Sequence, residues 1–91
     1  MVNTVIKRSG KKESFSRAKL ERAIDRAAKE GRVNAERRRE ISKEVSESVK
    51  NALSKRRTIK TTELRRRVLD RLERRSRAIA SAWRSYDRRK R

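Results

Sequence analysis

The chain has no cysteine, no histidine and no proline. Without cysteine there can be no disulfide, thiol nucleophile or zinc ribbon. Without histidine, the commonest general base and metal ligand is missing. Only two glycines, Gly10 and Gly31, punctuate 91 residues, and Phe15, Trp83 and Tyr86 are the whole aromatic complement. No apolar run is long enough to span a bilayer or to form a signal-peptide core. There is no phosphate-binding Gly loop, metal-ligand spacing, internal repeat or Ser/His/Asp set. The acidic residues stand singly among bases, so catalysis would rest on isolated carboxylates and lysines. These absences lead to the expectation of a non-enzyme, soluble and cytoplasmic, with no membrane segment.

What the chain has in excess is positive charge. Lys and Arg number 31 against 12 Asp and Glu, a net charge of +19. Self-repulsion on that scale destabilises a compact monomer unless anions gather round it. Ion-pair networks of the thermophilic kind want both signs near balance, and this excess is far from balance. Arginines number 21 and lysines 10, a bias suited to bidentate phosphate contact. The charge is uneven: residues 1–31 and 32–63 each contribute +5, and residues 64–91 contribute +9. A polyanionic partner, DNA or RNA, is one expectation. Its candidate contacts are Arg66, Arg67, Arg71, Arg74, Arg75, Arg88, Arg89, Lys90 and Arg91. No base-reading motif accompanies them, so binding would be independent of sequence.

The length suits one compact domain. At 32% hydrophobic and 47% charged residues, the composition approaches that of disordered chains. Periodicity argues for order. Val5-Ile6 and the Ser9-Gly10 turn predict a hairpin over 3–8 and 11–15, with Val5 and Lys7 on one face and Ile6 and Arg8 on the other. Ser16 is placed to cap a helix from Arg17 to about Glu30, with Leu20, Ala23, Ile24 and Ala27 as its stripe and Gly31 past its end. Lys19 lies on the first turn, where unpaired N–H groups favour an anion.

A second helix is predicted from Asn34 to about Ser54, buried along Ile41, Val45, Val49, Ala52 and Leu53. The Arg37-Arg38-Arg39 run at its start is either a solvated face or an anion contact. Thr58-Ile59-Lys60 suits a short third strand. Thr61 is placed to cap a third helix with Leu64, Val68, Leu69 and Leu72 inward. The stripe restarts at Ile79, Ala82, Trp83 and Tyr86, which favours a break near Arg74-Arg75-Ser76 with Ser76 capping a fourth helix. At that spacing Trp83 and Tyr86 read as core residues rather than base-stacking ones. The expected fold is α+β: a four-helix bundle capped by a short two- or three-stranded antiparallel sheet. It would occupy residues 1–87, with 88–91 as a basic tail.

The pattern Val5, Lys7, Arg8, Gly10, Glu13, Phe15, Lys19 and Leu20 resembles the opening signature of the ATP-cone. This is the regulatory nucleotide-binding domain of ribonucleotide reductases and of a repressor of their genes. Ile59-Lys60-Thr61-Thr62-Glu63-Leu64 is similar to the family's cap before its third helix. Ile79-Ala80-Ser81-Ala82-Trp83-Arg84-Ser85-Tyr86 resembles its closing helix. This chain has Ser9 where the family usually has Asp, and Ser16 and Arg65 where well-known members carry Asn and His.

The resemblance implies a non-catalytic, stand-alone module that takes ATP or dATP, with or without Mg, as a regulatory ligand. It places Val5, Lys7, Arg8, Glu13, Lys19, Leu20, Thr61 and Arg65 around the nucleotide, and it implies a homo-oligomer or an adaptor to a partner chain. The alternative is an architectural, nucleoid-associated protein that kept the cone fold and lost nucleotide sensing.

Overall fold

A computed structural model describes residues 4–89. The elements run β1 (Thr4–Ile6), β2 (Lys12–Ser14), α1 (Arg17–Glu30), α2 (Ala35–Leu53), β3 (Thr58–Lys60), α3 (Thr61–Arg75) and α4 (Arg77–Arg89). The hairpin turns where Lys7 N–H meets the Lys11 carbonyl at 2.8 Å and Gly10 N–H meets the Lys7 carbonyl at 2.8 Å. Gly10 has φ +87 and nothing within 4 Å of its absent Cβ, so glycine is required there for its backbone freedom alone.

Three of the expected caps form. Ser16 Oγ accepts the Lys19 N–H at 3.2 Å, Asn34 Oδ1 the Arg37 N–H at 2.9 Å and Ser76 Oγ the Ile79 N–H at 3.3 Å. Thr61 does not cap α3. The cap position falls on Lys60, which makes no side-chain cap bond, and Thr61 is already the first helical residue. Strand β3 feeds directly into the helix and leaves no extended residue for a hydroxyl cap. Gly31 does follow α1, but its φ is −77, and the left-handed step falls on Arg32 at φ 59.

The sheet corrects the antiparallel expectation. Its order is β2-β1-β3; β1 pairs antiparallel with β2 and parallel with β3. The cause is the helix pair between them. Ion pairs Arg17–Glu47 (2.7 Å) and Asp25–Arg38 (3.1 Å) show α1 and α2 running up and down. Together they return the chain to the edge where β2 ended and β1 began. β3 therefore leaves in the direction of β1.

Helix α1 packs on α2 and α4, and α3 packs on α4, α2 and β3. Ile24, Ile41, Val45, Leu53, Ile59, Leu72, Ile79 and Trp83 meet in one core, each at most 2% exposed. Ser42 and Ser46 are buried with them, and their hydroxyls donate to the Arg38 (2.7 Å) and Lys43 (3.1 Å) carbonyls of the same helix. The Arg37-Arg38-Arg39 run is partly structural: Arg38 bonds Asp25, and Arg37 Nη2 donates to the Arg75 carbonyl at 3.2 Å.

Candidate functional site

The hairpin, α1, α3 and α4 close round one cleft of about 330 Å³. β1 and the residues just past it bring Val5 and Lys7 to the cleft, while Ile6 and Arg8 line a neighbouring groove with Lys60 and Thr62, which Lys7 also borders. From α1 come Lys19 and Leu20, one helical step apart at the capped N-terminus. Helix α3 adds Thr61, Leu64, Arg65 and Val68, spaced i, i+3, i+4 and i+7 on a single face. Trp83 and Tyr86 enter from α4. The result is an apolar floor of Val5, Leu20, Val68 and Trp83 under a rim of Lys7, Glu13, Lys19 and Arg65.

Rim electrostatics follow from a single pair. Lys7 Nζ sits 3.0 Å from Glu13 Oε2 across the β1–β2 ladder, next to the Val5↔Glu13 register. That hydrogen bond holds the Glu13 carboxyl below its ordinary value of 4.5, against a smaller opposing effect of desolvation, with Lys19 and Lys11 adding in the same direction. Glu13 is thus a charged acceptor, and Lys7 a cation already placed at the rim. No acidic residue occupies the first turn of α1, so the positive end of its dipole beside Lys19 is not neutralised within the helix.

Arg65 lies over two rings, 4.4 Å from the Trp83 centroid and 5.7 Å from that of Tyr86. Such cation–π geometry fixes a guanidinium plane at low entropic cost. Trp83 is only 2% exposed, and its indole Nε1 has no hydrogen-bond acceptor among the described residues. Trp83 is therefore a core residue, as its spacing suggested, and also part of the cleft wall.

Of the residues implied by resemblance, Val5, Lys7, Glu13, Lys19, Leu20, Thr61 and Arg65 converge on this cleft. Arg8 does not; it sits in the turn beyond β1 and faces the adjoining groove, which shares Lys7 and Thr61 with the cleft. Phe15, Leu64, Trp83 and Tyr86 also line the cleft and were missing from the expected set. For Leu64, Trp83 and Tyr86 the signal was the apolar stripe, which reads as core until two helices are seen to leave a gap above it; Phe15 stood in the signature pattern itself. Of the basic set, Arg66, Arg67, Arg71 and Arg74 share a separate groove on α3, and Arg75 pairs with Glu40 (3.4 Å) and Glu44 (2.8 Å) of α2. Arg88 is exposed on α4, which continues through Arg89. Lys90 and Arg91 lie outside the described residues.

A hairpin leading into four helices, with a cation-rimmed cleft between strand and helix ends, defines a small ligand-binding α+β domain. The chain belongs to the ATP-cone domain family, whose model matches residues 3–91. ATP-cones are regulatory nucleotide-binding modules that bind ATP or dATP as an allosteric ligand. No curated protein matches the sequence. Among the described residues no helix is long and apolar enough to cross a membrane, and no three His, Cys, Asp or Glu side chains gather to hold a metal.

Proposed function

We propose that the cleft binds a purine nucleoside triphosphate, ATP or dATP, and that the protein is a non-catalytic regulatory module. The observation that carries this reading is the convergence of an apolar floor and three rim cations in a chain of this family. Lys7 and Lys19 face the phosphates, helped by the free N–H groups at the start of α1, with Arg8 reaching the tail from the adjoining groove. Glu13 accepts a hydrogen bond from the ribose or base, Val5 and Leu20 cover the base, and Thr61 and Arg65 close the α3 side. Mg²⁺ enters on the nucleotide's own phosphates. A ligand seated there touches the hairpin, α1, α3 and α4 together. It therefore shifts the population of their arrangements, and a second copy or a partner chain reads that shift.

The test is thermal melting with ATP, dATP and GTP. A ligand at a hundred times its Kd stabilises by about 2.7 kcal/mol. The double variant Lys7→Ala, Lys19→Ala should fold normally and lose the shift. No shift in the wild type at millimolar nucleotide refutes the reading. A second reading has nucleic acid as the partner of the basic surface. It is favoured by the excess charge and by the exposed arginines of α3.

A further inference from the structure

Helix α3 presents two faces that share no lining residue. Thr61, Leu64, Arg65 and Val68 turn to the cleft. On another side, Arg66, Arg67, Arg71 and Arg74 line an open groove of about 460 Å³ with Glu63, Asp70 and Ser48 of α2. Four guanidiniums thus stand along nine residues, a rise of about 12 Å of helix.

Two of them are held in place. Arg67 uses Nε and Nη2 on Glu63 Oε2, each at 3.3 Å. Arg71 donates Nε to Ser48 Oγ at 2.8 Å and Nη1 to the Arg67 carbonyl at 3.3 Å. Each bond set occupies two of five N–H donors and leaves three for a ligand. Arg66 and Arg74 are exposed and make no ion pair among the described residues. Glu63 does not oppose an anion strongly, because Arg56 and Arg67 both bind it. Asp70 is the only other acid in the groove.

The geometry points to a sequence-independent binding surface for the phosphodiester backbone of nucleic acid on this face of α3. A row of four arginines, two of them held in place, suits successive phosphates better than one small anion, which calls for an enclosed pocket. An acidic protein partner fits less well, since the groove has no aromatic or aliphatic anchor of the kind that carries protein interfaces. This inference is independent of the nucleotide reading.

The experiment is fluorescence anisotropy of labelled duplex DNA, single-stranded DNA and RNA with the full chain, at 50 and 200 mM salt. Arg66→Gln with Arg74→Gln should weaken binding about tenfold or more at the lower salt and reduce the salt slope by about two units. Arg22→Gln with Lys29→Gln, the same charge loss on exposed positions of α1, should cost far less. Asp70→Asn should strengthen binding, which mere damage to the fold would not do. Lys7→Ala with Lys19→Ala, again a loss of two charges, should cost no more than the α1 pair. Equal losses in the α3 and α1 pairs, or a loss in the Lys7/Lys19 variant as large as in the α3 pair, would overturn the site. So would the absence of binding by all three nucleic acids at 50 mM salt, or weaker binding by Asp70→Asn.

Discussion

Gly31 offers a sharp test of what holds α4 in place. Its φ of −77 is open to any residue, so an alanine there meets no backbone strain. Space is the obstacle. A Cβ on Gly31 would lie 3.0 Å from the Ala78 carbonyl oxygen and 3.1 Å from the carbonyl carbon, backbone atoms of α4 that no rotamer change can move. Overpacking of this kind costs about 1–3 kcal/mol. Replacing glycine stiffens the unfolded chain and returns about 0.4–1 kcal/mol. Gly31→Ala should therefore destabilise by about 1 kcal/mol net, or roughly 4–8 °C in Tm for a domain of this size. The neighbouring Arg32, at φ 59, has the opposite problem. Relieving a left-handed L-residue is worth about 1–2 kcal/mol, so Arg32→Gly should stabilise even though glycine is the more flexible residue. Thermal melts of both variants at one salt concentration, followed by circular dichroism, decide the matter. A stabilised Gly31→Ala would mean that α4 slides away freely and that the approach is not a packing constraint. A destabilised Arg32→Gly would mean that the Arg32 side chain contributes more than its backbone costs.

Truncating Leu72, which is fully buried between α3 and the rest of the core, to Ala should cost about 2–5 kcal/mol by denaturant titration. The Glu63 carboxyl is held below 4.5, chiefly by its hydrogen bond to Arg56, so its contribution is present above 4.5 and lost as pH falls through the lower folded value. Glu63→Gln should thus be less stable than wild type at neutral pH, with the gap closing in acid; a gap constant with pH would refute the coupling. Trp83 is the sole tryptophan, and Arg65→Ala should change its emission by removing the guanidinium over its ring. Unchanged emission would show that the stack does not persist in solution. Added salt should raise Tm, because repulsion is the longer-ranged effect; a fall in Tm would remove repulsion as the limit on stability.

The helices were legible because their stripes are regular and their ends carry Ser16, Asn34 and Ser76, whose short side chains reach back to the backbone. Even the break at Ser76 showed in the restart at Ile79. What did not show depends on distant parts of the chain. Ile59 announces a strand but cannot say which way it runs; the return of α1 and α2 decides that. Gly31 reads as a terminator of α1, while its close approach to Ala78 exists only once α4 has docked. The resemblance sets Arg65 beside the nucleotide, but its stacking on Trp83 requires α3 and α4 to fold back on each other. Arg8 shows the converse: alternation correctly sets it opposite Lys7, and the turn does not bring it round into the cleft.

The placement of the few acids explains how so basic a chain forms one core. Glu47 joins α2 to Arg17 of α1, Asp25 joins α1 to Arg38 of α2, and Glu40 and Glu44 reach Arg75 at the end of α3. Glu63 holds Arg56 ahead of β3, and Glu73 meets Arg84 across the α3–α4 hairpin. Each of these carboxylates spans a seam between elements, where pairing opposes separation of the helices. Exposed pairs contribute only about 0–1 kcal/mol each, so they cannot cancel +19. They do decide where it is left uncompensated: on outward faces such as Arg66 and Arg74 rather than between helices. Contact pairs near 3 Å lie well inside the Debye length of about 10 Å at 0.1 M salt, whereas repulsion across a molecule 34 Å long does not. The seams therefore keep their attraction under ionic conditions that already screen much of the repulsion, and the surplus charge on the outer faces stays available to a polyanion.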